Sequence, residues 1–182
     1  MLELLSNHKC FGGNVSYWKH KSNVCKTEMK FSIYEPPQIK SNSLPVLYYL
    51  SGLTCTEETF MIKSGGLKIA SELGIILVSS DTSPRNVINI GENNDWDFGT
   101  GAGFYIDATQ KPWSENFKMF SYVTKELPEL IKENFNADPN KQSIFGHSMG
   151  GHGALICGLK RPDLYKSISA FAPIFCPSIS PW

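Results

Sequence analysis

The sequence has little that would suit a charged partner, a metal or a membrane. Its 17 basic and 17 acidic residues cancel to zero formal charge, which leaves no electrostatic footprint for nucleic acid or an anionic bilayer. No stretch approaches the roughly 18 apolar residues of a membrane-spanning helix. The opening "MLELLSNHKC" lacks both the basic start and the apolar run of a secretory leader. Five cysteines (Cys10, Cys25, Cys55, Cys157 and Cys176) are scattered, odd in number and without a C-x-x-C pair. That excludes a recognisable disulfide framework or zinc pattern and leads us to expect a cytoplasmic protein with reduced thiols. H-E-x-x-H is also absent, and the spacing of His147 and His152 does not place two ligands on one helical face, so neither metal nor cofactor is expected.

What is present suits one α/β domain. A chain of 182 residues is long enough for a well-buried core and too short to expect two domains, so residues 1–182 are expected to form one unit. Residues 23–37 alternate through Met29, Phe31 and Ile33 like a half-buried strand, paired with the aromatic stretch at 15–18. "PVLYYLSG" (45–52) and "GIILVSSD" (74–81) are short apolar runs that fit parallel strands buried on both faces. A short helix is expected over 67–74, ending at a glycine. Residues 82–113 form a long irregular segment with Gly91, Gly99, Gly101 and Gly103 among aromatics, and loops of that length are usually functional or disordered. Ser114 can cap a helix whose apolar face reads Phe117, Phe120, Val123, Leu127, Leu130 and Ile131, with Pro128 kinking or breaking it. The turn "DPNK", a strand at 142–145, a helix to Leu159 and a strand at 167–173 complete the pattern.

The chemistry is concentrated in "SIFGHSMGGHGAL". There a G-x-S-x-G motif follows an apolar run and opens a helix, the context that lifts a serine onto a strained strand-to-helix turn. Ser148 is the expected nucleophile. The amide of the next residue, Met149, faces such a site, and a second donor is expected from the loop after "YYL", where Gly52-Leu53 is either that donor or a plain turn.

"YLSGLTCTEETF", "DTSPR", "DWDFGTGAGFYIDAT", "SIFGHSMGGHGAL" and "SAFAPI", in that order, resemble the esterase D / S-formylglutathione hydrolase family of cytosolic serine thioesterases. The resemblance implies an α/β-hydrolase fold, a mostly parallel twisted sheet with helices on both faces. It also implies hydrolysis of S-formylglutathione to glutathione and formate, with side activity on simple esters, and a homodimer as a family trait only. Ser148 matches the nucleophile, and Leu53 and Met149 match the backbone donors of the oxyanion hole. Cys55 matches a cysteine whose modification blocks the site in some members, or is a small buried residue. Trp96, Asp97 and Phe98 either shape the acyl or glutathione side of the pocket or belong to a structural loop.

The family's triad runs serine, acid, histidine along the chain. After Ser148 the only acid is Asp163, which reads as a solvated turn residue. His8 and His20 lie far upstream, and the elbow turns His147 and His152 away from Oγ. The chain therefore resembles the N-terminal part of the family and ends, at "CPSISPW", before the segment with the triad aspartate and histidine. The fold is expected to be C-terminally incomplete, with an unpaired sheet edge and an exposed apolar face. A thioesterase seen in part, a shortened form that cannot turn over, and a related hydrolase or acyltransferase with another acyl donor remain the competing readings.

Overall fold

The computed structural model describes residues 2–87 and 95–179; Gly91, Pro181 and Trp182 lie outside them. The chain opens with a hairpin, β1 (Leu2–Cys10) and β2 (Gly13–Lys21). Phe11 and Gly12 join the strands with φ of 43° and 77°, the two left-handed residues that a tight hairpin needs to match strand twist. Then follow β3 (Glu28–Glu35), β4 (Leu44–Leu50), the helices α1 (Glu58–Lys63) and α2 (Leu67–Leu73), and β5 (Ile76–Ser80). After the long segment come α3 (Met119–Ser121), a π-helical stretch (Tyr122–Glu126), α4 (Leu127–Asn134), β6 (Ala137–His147), α5 (Met149–Lys160) and β7 (Ile168–Phe171).

The seven strands form one sheet in the order β1-β2-β3-β5-β4-β6-β7. β5, β4, β6 and β7 pair in parallel, while β1, β2 and β3 lead in antiparallel. The expected parallel sheet thus holds for the four strands nearest the serine motif. β1 and α1 were not foreseen: β1 is an edge strand with little burial pattern of its own. "DPNK" is an excursion inside β6, since Ala137 pairs with Leu44 and Gln142 with Val46.

Side chains of the central strands alternate between two cores. Val46, Tyr48, Leu50, Ile76, Val78 and Ile144 pack with Met119, Tyr122, Leu127, Ile131 and α5. Leu47, Tyr49, Leu77 and Phe145 face Phe60, Met61, Leu67 and Ala70 of α1 and α2. Helices therefore lie on both faces.

The helix around Pro128 departs from expectation at both ends. Ser114 is no cap, because residues 113–115 form a 3-10 turn and the helix starts at Met119. The capping carboxylate is Asp107, which accepts the Ser121 amide at 2.9 Å and the Ser121 hydroxyl at 2.5 Å. Pro128 has no N–H for the Thr124 carbonyl. The preceding turn widens into the π-helical stretch, and the Arg161 guanidinium donates to that carbonyl at 2.9 Å. Tyr165 Oη donates to the Val123 carbonyl at 3.0 Å.

Candidate active site

β6 ends at His147 and α5 begins at Met149, so Ser148 alone makes the turn, with φ 58° and ψ −120°. A side chain held at positive φ costs on the order of 1–3 kcal/mol and persists only where its surroundings force it. Here they do. The Ser148 amide donates to the Phe171 carbonyl at 3.0 Å, and its own carbonyl accepts the amides of His152 at 3.1 Å and Ile174 at 3.3 Å. A Cβ on Gly150 would land on the carbonyl groups of Leu50 and Ser51, and one on Gly146 would strike the Gly150 backbone. α5 is thus seated directly on the end of β4, closer than any larger residue permits.

That close seating places the β4 loop beside the serine. The Cβ position of Gly52 lies 3.4 Å from Ser148 Cβ and 3.8 Å from its Oγ. The next residues turn sharply: the Cys55 amide donates to the Gly52 carbonyl at 3.3 Å, and Thr54 has φ 65°, the left-handed third position of a type II turn. Leu53 is the second residue of that turn and is half-buried. The structure thus brings Ser148, Leu53, Met149 and Cys55 into one neighbourhood. Met149 opens α5, and the first amides of a helix have no partner within it.

Trp96, Asp97 and Phe98 lie shortly before Gly101, whose carbonyl accepts the Thr54 amide at 2.9 Å. Trp96 is 61% exposed. Phe98 stands edge-on to Trp113 at 4.9 Å and lines a cavity of about 410 Å³ with Phe104, Ile106, Trp113 and Phe117. Ser148, Leu53, Trp96 and Asp97 do not line it.

Among the described residues no imidazole is hydrogen-bonded to Ser148 Oγ. His152 Nδ1 meets the Ile174 carbonyl at 3.1 Å, and burial pushes its pKa down. His147 is exposed. His20 stacks on Tyr122 and shares a 3.0 Å hydrogen bond with its hydroxyl, and His8 lies on β1 against Tyr17. Asp163 is exposed and clamped by Arg161 at 2.7 Å. Two buried carboxylates went unremarked in the sequence. Asp81 is paired with Arg85, and burial, then the charge of Asp81, raises the pKa of Glu57. Only their position after β4 and β5, the parallel pair next to the motif's strand β6, could have singled them out. No group of three His, Cys, Asp or Glu suited to a metal occurs among the described residues, and none of their helices is long and apolar enough to cross a membrane.

The arrangement sets a strained serine at the mouth of α5, beside the turn that follows β4. Comparison with known proteins identifies the family. Over 181 residues the chain is 56% identical to an S-formylglutathione hydrolase of Rattus norvegicus and 55% identical to that of Bos taurus, in each case using all of this chain and 64% of the relative. It thus spans about 64% of the length of the curated relatives it matches. The solved S-formylglutathione hydrolase of Agrobacterium tumefaciens superposes with a TM-score of 0.91 at 50% identity, over 96% of this chain and 63% of that one. A ferulic acid esterase at 20% identity and a TM-score of 0.69 shares the fold. The sequence model of the esterase family matches residues 22–182, and the chain belongs to that family.

Proposed function

We propose that Ser148 is the nucleophile of a serine thioesterase that cleaves S-formylglutathione to glutathione and formate, with simple carboxylic esters as side substrates. The observation that carries the proposal is the strained Ser148 at φ 58°, with Gly52 against it; the substrate class is suggested by the names of the rat, bovine and Agrobacterium relatives. Ser148 Oγ attacks the thioester carbonyl while the Leu53 and Met149 amides receive the developing oxyanion. The C–S bond breaks, glutathione leaves as thiolate, and water then attacks the formyl ester to release formate and restore the serine. Cys55, beside the hole, and Trp96, Asp97 and Phe98 are proposed to bound the acyl and glutathione sides once substrate is present.

The proton of Ser148 requires a base that no described imidazole supplies. The reading therefore needs a histidine and its carboxylate from outside residues 2–179. A specific observation favours a second reading: with all four histidines directed elsewhere or exposed, the chain by itself holds the nucleophile half of a site and turns over weakly. Cytoplasmic residence, a single domain over 1–182 and a homodimer complete the proposal.

The test compares Ser148→Ala with the parent, alone and extended by the remaining third of the rat relative. The extended parent is expected to hydrolyse S-formylglutathione faster than acetate esters, and Ser148→Ala to lose about 10⁴-fold or more. The unextended chain is expected to show only residual acyl transfer. An extended Ser148→Ala variant with parental turnover would sink the assignment, and a preference for acetate esters would move it to another acyl donor.

A further inference from the structure

Next to the serine lies a turn that should not hold its shape unaided. Thr54 is β-branched yet sits at φ 65°, a conformation usually left to glycine or asparagine. If it relaxes, the Leu53 amide one residue earlier turns with it. Three sets of ties oppose that motion. The Thr54 amide donates to the Gly101 carbonyl at 2.9 Å, and Tyr105 Oη donates to the Ser51 carbonyl at 2.9 Å. The Cys55 carbonyl, at the far end of the turn, accepts both Thr82 Oγ1 at 2.6 Å and Arg85 Nη2 at 3.0 Å.

Arg85 is itself fixed. Its Nε donates to both carboxylate oxygens of Asp81, at 3.1 and 3.0 Å, and its Nη2 to Oδ1 at 2.9 Å. Asp81 directly follows β5, is 3% exposed, and accepts the Thr82 amide at 2.6 Å. An unbroken line of hydrogen bonds thus runs from the sheet through Asp81 and Arg85 to the Cys55 carbonyl. Only a planar fork reaches a carboxylate and a carbonyl at once; a lysine ammonium on a flexible stem does not reproduce it.

We infer that Arg85, held by Asp81, is a positioning residue for acyl transfer: through the Cys55 carbonyl it keeps the strained turn closed and so aims the Leu53 amide at the oxyanion formed on Ser148. This rests on the reading of Ser148 and Leu53 given above. Arg85 touches no reacting atom. Its loss slows the chemical step and leaves ester binding nearly unchanged.

The experiment follows acetylation of Ser148 by p-nitrophenyl acetate in the chain extended by the remaining third of the rat relative, read as first-turnover release of p-nitrophenolate. It is run below the melting temperature of each variant, with far-UV circular dichroism as the folding check. Arg85→Ala and Asp81→Asn are expected to slow acetylation at saturating ester by about tenfold or more, less than the 10²–10³ for deleting a donor outright. The half-saturating ester concentration should shift by no more than about twofold. Guanidinium at millimolar concentration should restore part of the Arg85→Ala rate, and Lys132→Ala, an exposed change on α4, should leave the rate alone. If Arg85→Ala does not fold, Arg85→Lys decides, with a severalfold loss expected. A folded Arg85→Ala or Arg85→Lys variant that matches the parent, or whose whole defect lies in half-saturation, overturns the inference. Equal acetylation of parent and Ser148→Ala overturns the nucleophile assignment, and the inference with it.

Discussion

The two faces of the sheet carry the same strand pattern and different amounts of cover. On one face Tyr105, Tyr122, Met119, Leu127 and Ile131 are all under 2% exposed against the sheet. On the other, α1 and α2 are six and seven residues long, and Leu47, Tyr49 and Phe145 are only half-buried. Ile69 and Leu73 of α2 are 53% and 63% exposed beside a groove of about 300 Å³. Alternation along a strand asks for burial on both sides, so the strands are equally apolar while the helices supplied are unequal. The serine elbow is bound to the filled face through α5. The precision of the site therefore depends on contacts that leave no room, and the open face contributes little to it.

The largest break in that contrast comes from one methyl group. Gly150→Ala puts Cβ onto the backbone of Leu50 and Ser51, and backbone cannot swing aside. We expect a loss of more than about 4 kcal/mol in chemical denaturation, or no folded protein. A soluble variant within 1 kcal/mol of the parent would show that α5 does not sit on β4 as described. Next is Leu127→Ala at the centre of the filled face, which should cost about 2–5 kcal/mol with the denaturant midpoint lowered to match.

The filled face also imposes a pH limit. Burial lowers the pKa of His20, against the opposing pull of Glu126, and the ring is wedged between Tyr122 and Phe31. A depressed histidine is neutral in the fold and takes a proton first when unfolded. Its contribution is intact above about pH 6.5 and is lost as pH falls from there through the folded pKa, with a slope of at most about 1.4 kcal/mol per pH unit. His152 is shifted the same way, so the difference between His20→Gln and the parent isolates His20. Denaturation between pH 7.5 and 5 should show a shallower acid loss in the variant; parallel curves would place the proton elsewhere.

How much of this was legible depended on whether the determinant was local. The β4, β5 and β6 strands read directly from apolar runs bounded by glycine and aspartate, and the elbow from glycines whose spacing the tight seat requires. β1 was missed because its outer face is solvent and its side chains show no alternation; the better signal was "FGG", where two left-handed residues close the hairpin. The start of the long helix was misplaced because its cap, Asp107, lies fourteen residues before Ser121 and no local pattern reaches that far. Pro128 suggested a break, and what keeps the helix running is Arg161, brought to the freed Thr124 carbonyl by the turn after α5. At the candidate site, the strained turn at Ser148 was readable, while the Asp81–Arg85 pair sits a strand away from the turn after β4. Tertiary partners of this kind are set by the fold and leave no spacing to read.

The smallest expected effect tests the open face itself. Leu73 ends α2 with 63% of its surface in water and its side chain at the groove beside Ile69 and Phe145. A side chain already exposed gives back little transfer free energy when shortened, so Leu73→Ser should change stability by less than about 0.5 kcal/mol. Because contiguous exposed apolar surface drives association, the same change should lower light scattering at high protein concentration. A cost of 2 kcal/mol or more would mean that Leu73 is covered in the folded state. The two faces would then be equally closed, and the contrast between them would belong to the isolated chain alone.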